Sequence, residues 1–255
     1  MITVKEINGF CYIDGKQDVS SDLSQAYQTA EPFPHIVIDN FLPEFFLDQI
    51  ITHFPLPEEA TVSHKSDTQY LKKGYRPQQL NGNPCVHYLA TLNSVPMLDF
   101  LQQLTGITGL IPDPYYEGGG LHETDNGGML QIHADFTLHK KLQVARRINM
   151  IIFLNKDWKY EYGGALELWD SQMKTKQQEI VPIYNRCVIF NTSADSFHGH
   201  PVPVNCQPGL SRRSVALYFY TASVNNSALS SATSWQQTEQ SFSAKLIKKL
   251  KKIIR

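Results

Sequence analysis

The chain has 255 residues, 42% of them hydrophobic, with 4 cysteines and a formal net charge of −1. That length supports one sizeable core, and the near-neutral balance supplies no global field toward nucleic acid or an anionic membrane. Scattered Cys11, Cys85, Cys187 and Cys206 form neither a CxxC zinc ribbon nor a disulfide framework, the N-terminal MITVKEINGFCYIDGK lacks a secretory apolar run, and nowhere do about 18 apolar residues stand together, so a soluble protein of the reducing cytoplasm is expected.

In chain order, HIVID within residues 31–54 predicts a short strand. A proline-marked start then opens an amphipathic helix carrying Phe46, Ile50, Ile51 and Phe54. Residues 60–94 read as polar and irregular, and PMLDFLQQLTG predicts a second helix over about 96–106 ending at Gly106. After residue 110 the texture changes to strand-like runs broken by Gly, Asn, Pro and Asp: GGMLQIHADF, RRINMIIFLN, GGALELWD, QEIVPIYNRCVIFNT and SRRSVALYFYTA. Such a series predicts an antiparallel sandwich or barrel. Residues 224–243 are rich in Ser, Thr, Asn and Gln, predicting loosely draped chain, and AKLIKKLKKIIR predicts a basic amphipathic helix at the C-terminus.

His133 and Asp135 stand at i and i+2 of a strand-like run, so both side chains point to one face, with Ile132 and Ala134 on the other. His198 and His200 follow a second strand, RCVIFNTS. Alone, either motif is ambiguous between metal ligands and satisfied polar residues at a barrel rim. Together, two histidines and a carboxylate delivered by strands make a facial triad that leaves coordination positions open, as in non-haem Fe(II) oxygenases. Arg212, fourteen residues after His198, opens the strand RSVALYFY. Within a barrel mouth lined by Val215, Leu217 and Phe219 it is a cation needing a partner, which a dicarboxylate supplies through a bidentate fork; a surface charge is the alternative.

HADF, INMIIFLNKDWKYEYGGALELWD, NRCVIFNTSADSFHGHPVPV and SRRSVALYFYT, in this order, resemble the Fe(II)- and 2-oxoglutarate-dependent oxygenases of the prolyl-4-hydroxylase-like superfamily over about residues 115–222. The resemblance implies a double-stranded β-helix, or jelly roll; with the helices read from residue spacing, the expectation is an α+β, mainly β protein with N-terminal helices packed on the jelly roll and a C-terminal basic helix. It implies one oxygenase domain over 1–222, with a supporting part over 1–112 and the core over 113–222, followed by a linker and helix over 223–255. His133, Asp135 and His198 are implied as Fe(II) ligands, with His200 as the alternative distal histidine. Arg212 is implied as the 2-oxoglutarate clamp in preference to Arg213, and Asn149 as a second contact. Where the better-studied prolyl hydroxylases carry a tyrosine upstream of the HxD motif, this chain has Leu121-His122-Glu123, which leaves peptidyl-proline open as substrate.

The implied reaction is a dioxygenase hydroxylation that consumes O2 and 2-oxoglutarate and releases succinate and CO2, with ascorbate as a candidate reductant. Ile151, Phe153, Leu166, Leu168, Val188 and Phe190 are expected as an apolar wall around the reacting centre. The lip is expected to hold His64, Lys72, Lys73, Arg76, Tyr115, Tyr116, Glu117, His122, His139, Lys140 and His200, suited to a polar or anionic substrate, with His122, His200 and Arg76 as candidate substrate contacts. Membrane-surface contact through the basic helix is a further expectation, and no nucleic-acid partner is expected. The competing readings are a non-catalytic, cupin-like metal-binding barrel and a zinc hydrolase, since two histidines and a carboxylate also suit catalytic zinc.

Overall fold

The computed structural model describes residues 2–222 and 229–236; the predicted C-terminal helix lies outside them. The N-terminal part holds a hairpin of β1 (Val4–Ile7) and β2 (Phe10–Ile13), then α1 (Ser21–Gln28), β3 (His35–Ile38) and α2 (Glu44–Thr52). Next come β4 (Val62–Lys65), β5 (Gln69–Tyr75), α3 (Cys85–Leu92) and α4 (Val95–Thr105). The predicted helices of this part are present, and α4 stops at Gly106, whose φ of 73° is the left-handed cap that favours glycine. The stretch 60–94, expected to be irregular, instead carries two paired strands and a helix.

The core follows with β6 (Ile111–Pro112), β7 (Gly120–Ala134), β8 (Ala145–Phe153), β9 (Leu166–Trp169) and β10 (Lys176–Ile180). It ends with β11 (Cys187–Asn191), β12 (His198–His200), β13 (Arg212–Thr221) and β14 (Ser234–Trp235). The strand order β10-β9-β12-β7-β13-β8-β11-β3 describes an antiparallel sheet that curls on itself, with β5 and β14 also paired to β7.

The long strand β7 serves both walls of the curl. Its first half pairs with β13 and β5, and its second with β12, β14 and the start of β5. Partners change across Asn126-Gly127-Gly128: Gly127 has φ +82°, and a Cβ on Gly128 would lie 2.5 Å from Thr124 Cγ2 and 2.8 Å from the carbonyls of Asp125 and Tyr70. Only glycines allow the chain to bend there.

Side-chain alternation divides two cores. On β8, Ile148, Met150 and Ile152 join a layer with the helical residues Phe46, Leu47, Phe100, Leu101 and Leu104. The intervening Ile151 and Phe153 face inward with Leu166, Leu168, Val188 and Phe190, the expected apolar wall. One expectation is corrected on β13. Val215, Leu217 and Phe219 face the helical layer and not the mouth, while Arg212, Ser214, Ala216 and Tyr218 line the interior. In a period-2 strand Arg212 cannot share a face with odd-numbered neighbours.

Candidate metal centre

His133 and Asp135 lie at the end of β7 and His198 at the start of β12, where His198 is the direct cross-strand partner of His133. One ligand atom from each of the three falls within 4.8 Å of the others. Asp135 Oδ1 is 3.5 Å from His133 Nε2, and Asp135 Oδ2 is 3.4 Å from His198 Nε2. Both imidazoles are turned by their backbones: His133 Nδ1 bonds the Gln131 carbonyl at 2.8 Å and His198 Nδ1 the Ser196 carbonyl at 3.0 Å. With Nδ1 as donor, each Nε2 presents a lone pair to the common point. Burial, then the neighbouring His198, pushes the His133 pKa below its ordinary value, so the ring is held neutral, as a ligand must be.

The intervening Gly199 is required by the same register. A Cβ there would lie 2.7 Å from the Gln131 carbonyl and 2.9 Å from that of Leu130, so any side chain would push β12 off β7.

A residue absent from the sequence reading, Arg146, completes the centre. Its side chain is fully buried at the head of β8; Nη2 donates to Asp135 Oδ2 at 2.9 Å, and Nε and Nη2 donate to Asn149 Oδ1 at 2.9 and 2.7 Å. The guanidinium lies 3.4 Å over the Tyr218 ring and 4.7 Å from that of Phe136. Asn149 Nδ2 donates to the same Asp135 oxygen at 2.8 Å, and Thr192 Oγ1 donates to Asn149 Oδ1 at 3.1 Å. Asn149, expected as a cosubstrate contact, therefore has both polar ends engaged by this network. Burial alone would raise the Asp135 carboxyl, but Arg146 and the flanking imidazoles hold it well below the ordinary carboxylate range. It is an anion aimed at the two imidazoles.

These residues line one end of a cavity of about 290 Å³. The same cavity is lined by Arg212, 6% exposed, whose Nε donates to the Gly164 carbonyl at 2.6 Å and whose guanidinium lies over the Phe153 ring. Burial pulls its pKa down to about 9. Arg213 points away, donating from Nε to Glu123 at 3.0 Å. His200 and His122 also line the cavity, and burial holds both well below the ordinary imidazole pKa. Arg76 and Glu117 reach the same cavity.

Five residues expected at the lip do not line this cavity: Tyr115 borders a neighbouring pocket, Lys140 is exposed, and the other three are engaged elsewhere. His139 is fully buried 3.3 Å from Asp113, Tyr116 accepts a hydrogen bond from Asn93, and Lys73 pairs with Asp125 at 2.7 Å on the far face of β5. A wall not anticipated is Trp235 on β14, stacked on the His133 ring at 4.8 Å and 30°.

Residues 119–220 match the family model described as the 2OG-Fe(II) oxygenase superfamily. The chain is 25% identical over 199 residues to prolyl 3-hydroxylase OGFOD1 of Mus musculus, a match covering 76% of this chain and 34% of that relative. The chain thus spans about a third of its curated relative. Among solved structures it resembles a Pseudomonas putida prolyl-4-hydroxylase, with TM-score 0.54, 14% identity and 78% and 98% of the two chains covered. It also resembles HygX from Streptomyces hygroscopicus, solved with nickel, 2-oxoglutarate and hygromycin B, with TM-score 0.54, 10% identity and 80% and 88% covered. At such identities these likenesses speak for the jelly-roll fold.

The superfamily's Fe(II) and 2-oxoglutarate fit the residues present. Two imidazole Nε2 atoms and an anionic carboxylate converge on one point, and a buried guanidinium with no carboxylate partner among the described residues faces the same cavity.

Proposed function

We propose that the protein is an Fe(II)- and 2-oxoglutarate-dependent dioxygenase that hydroxylates a C–H bond of a polar or anionic substrate, with release of succinate and CO2. The observation that carries this reading is the convergence of His133, Asp135 and His198 at one end of a cavity that also holds the buried Arg212. The superfamily match favours it over the zinc hydrolase and the non-catalytic barrel.

His133, Asp135 and His198 would hold the metal, which supplies activation of O2 toward the cosubstrate. Arg212 would pair with the far carboxylate of 2-oxoglutarate and so fix the orientation of the cosubstrate in the cavity. Ile151 and Leu166 line the cavity beside these groups, and Phe153, Leu168, Val188 and Phe190 pack behind them, keeping bulk water from the reacting atoms. No side chain is required as general base for hydrogen abstraction from carbon.

The mouth supports a polar substrate. Arg76 borders both the main cavity and a neighbouring pocket of about 180 Å³ shared with Gln78, Gln79, Tyr115 and Lys141, a surface suited to a carboxylate, phosphate or sulfate group. A peptidyl substrate, in line with the name of the mouse relative, and a small polar metabolite both fit this chemistry. Four free cysteines, all buried, support a reducing, cytoplasmic site of action.

Anaerobic titration of Fe(II)-loaded protein with 2-oxoglutarate tests the assignment through the weak visible charge-transfer band of the chelate. The band is expected in wild type and, at the same low cosubstrate concentration, lost in Arg212→Ala. No band in wild type, or an undiminished one in the variant, overturns the reading.

A further inference from the structure

One cation is enough for one carboxylate, yet besides Arg146, which pairs with Asp135, and Arg76 at the mouth, this cavity holds two more, Lys72 and Arg212. Thr124 of β7 is the register partner of Lys72 on β5 and of Arg212 on β13. Partners in adjacent antiparallel strands project to the same face, so Lys72 and Arg212 stand in one row with their Cα atoms about 10 Å apart, two ladder spacings. Both side chains are long enough to meet at a single small anion between them.

The acids of this neighbourhood are committed elsewhere. Glu123, next along β7, points to the opposite face, where it takes Lys73, Tyr75, Ser211 and Arg213. Asp125 is taken by Lys73, and Asp135 by Arg146. Glu117 is the remaining acid lining the cavity, and Lys72 forms no ion pair or hydrogen bond among the described residues. Burial first, then Arg212, pulls the Lys72 pKa down to about 8. Beside the pair lies His200, 2% exposed, with Nδ1 and Nε2 both buried and without a partner among the described residues. Two unpaired cations and an unpaired imidazole facing one cavity form an unfavourable arrangement unless a ligand brings the anion.

We infer that Lys72 is the second cation of the cosubstrate site, bracketing the distal carboxylate of 2-oxoglutarate together with Arg212, while His200 donates a hydrogen bond to the same carboxylate. This rests on the dioxygenase reading above. It implies that the pocket selects 2-oxo diacids over 2-oxo monoacids more strongly than a lone guanidinium would.

The test is calorimetric binding to Ni(II)-loaded protein of two ligands, 2-oxoglutarate and 2-oxopentanoate, which keeps the 2-oxo acid end and lacks the distal carboxylate. Lys72→Met is expected to weaken 2-oxoglutarate about 10- to 100-fold while leaving 2-oxopentanoate unchanged, and Lys72→Arg to retain most of the 2-oxoglutarate affinity. Equal loss for both ligands would make Lys72 a packing residue, and undiminished 2-oxoglutarate binding would assign its ammonium to another anion, such as an acidic substrate; either outcome overturns the inference. Wild-type protein that binds neither ligand would instead sink the dioxygenase reading, and this inference with it, before any variant is made.

Discussion

Replacing Arg146 with methionine separates a positioned carboxylate from a merely nearby one. Methionine fills much of the space but removes the Nη2 bond to Asp135 Oδ2, the two bonds to Asn149 Oδ1 and the face contact with Tyr218. The Arg146 side chain is 0% exposed and that of Asp135 13%, so water compensates little for the loss. Breaking a buried pair by removing one partner costs about 3–5 kcal/mol. For a domain of this size each kcal/mol moves the melting temperature by about 2–4 °C, so the metal-free variant should melt about 6–20 °C below wild type in differential scanning calorimetry. Metal affinity should fall about 10- to 100-fold, as it does when the partner of a ligating group is lost, because Asn149 alone then holds Oδ2 and the carboxylate can turn away from the imidazoles. Arg146→Lys should recover part of the melting temperature and little of the metal affinity, since an ammonium cannot reproduce the fork. A melting temperature equal to wild type in Arg146→Met, or unchanged Ni(II) affinity in its folded protein, would refute the assignment of Arg146 as the residue that positions Asp135.

Gly199→Ala should destabilise the fold by about 1–3 kcal/mol and weaken Ni(II) binding, because its Cβ meets the Gln131 carbonyl at 2.7 Å and displaces β12 with His198; normal metal affinity at normal stability would contradict the register argument. Nickel loading should quench tryptophan emission through Trp235, stacked on His133, and Trp235→Phe should lose most of that quench while still binding metal in calorimetry. Glu123, a buried side chain, is raised by burial but held below its ordinary pKa by Ser211, Tyr75 and Arg213, so its contribution is fully present above the ordinary glutamate range and fades as pH falls through the lowered value. Glu123→Gln should therefore be less stable than wild type at neutral pH, with the gap in urea midpoints closing below about pH 4; a gap that widens on acidification would reverse the sign of the argument.

How much of this was legible in the sequence follows from where hydrophobicity marks structure and where function replaces it. The spacing of His133 and Asp135 puts both on one face whatever the rest of the fold does, and the apolar runs of β8, β11 and β13 mark the core strands directly. Strands β4 and β5 were hidden for a physical reason. On β5, Lys72 and Gly74 face the cavity, as does Arg76 just beyond the strand, while Lys73 pairs with Glu123 and Asp125 behind it, so charged residues stand on both faces and the alternation that signals a strand disappears.

The same cause explains the inverted reading of β13 and the overlooked Arg146. Apolar residues are assigned to the interior by default, but here the interior is the site: it takes Arg212, Ser214, Ala216 and Tyr218, and the apolar face of β13 packs on the helical layer. An arginine at the head of an apolar strand reads as a charge that reaches solvent along its stem. Arg146 turns inward because Asp135, eleven residues earlier, offers a buried anion and Tyr218 on the neighbouring β13 a ring to lie on, and Asp135 follows β7, a strand that does not pair with β8. Residues whose environment comes from one strand's own period were readable in one dimension. Arg146 and Lys72, whose environment is assembled from three strands, were not.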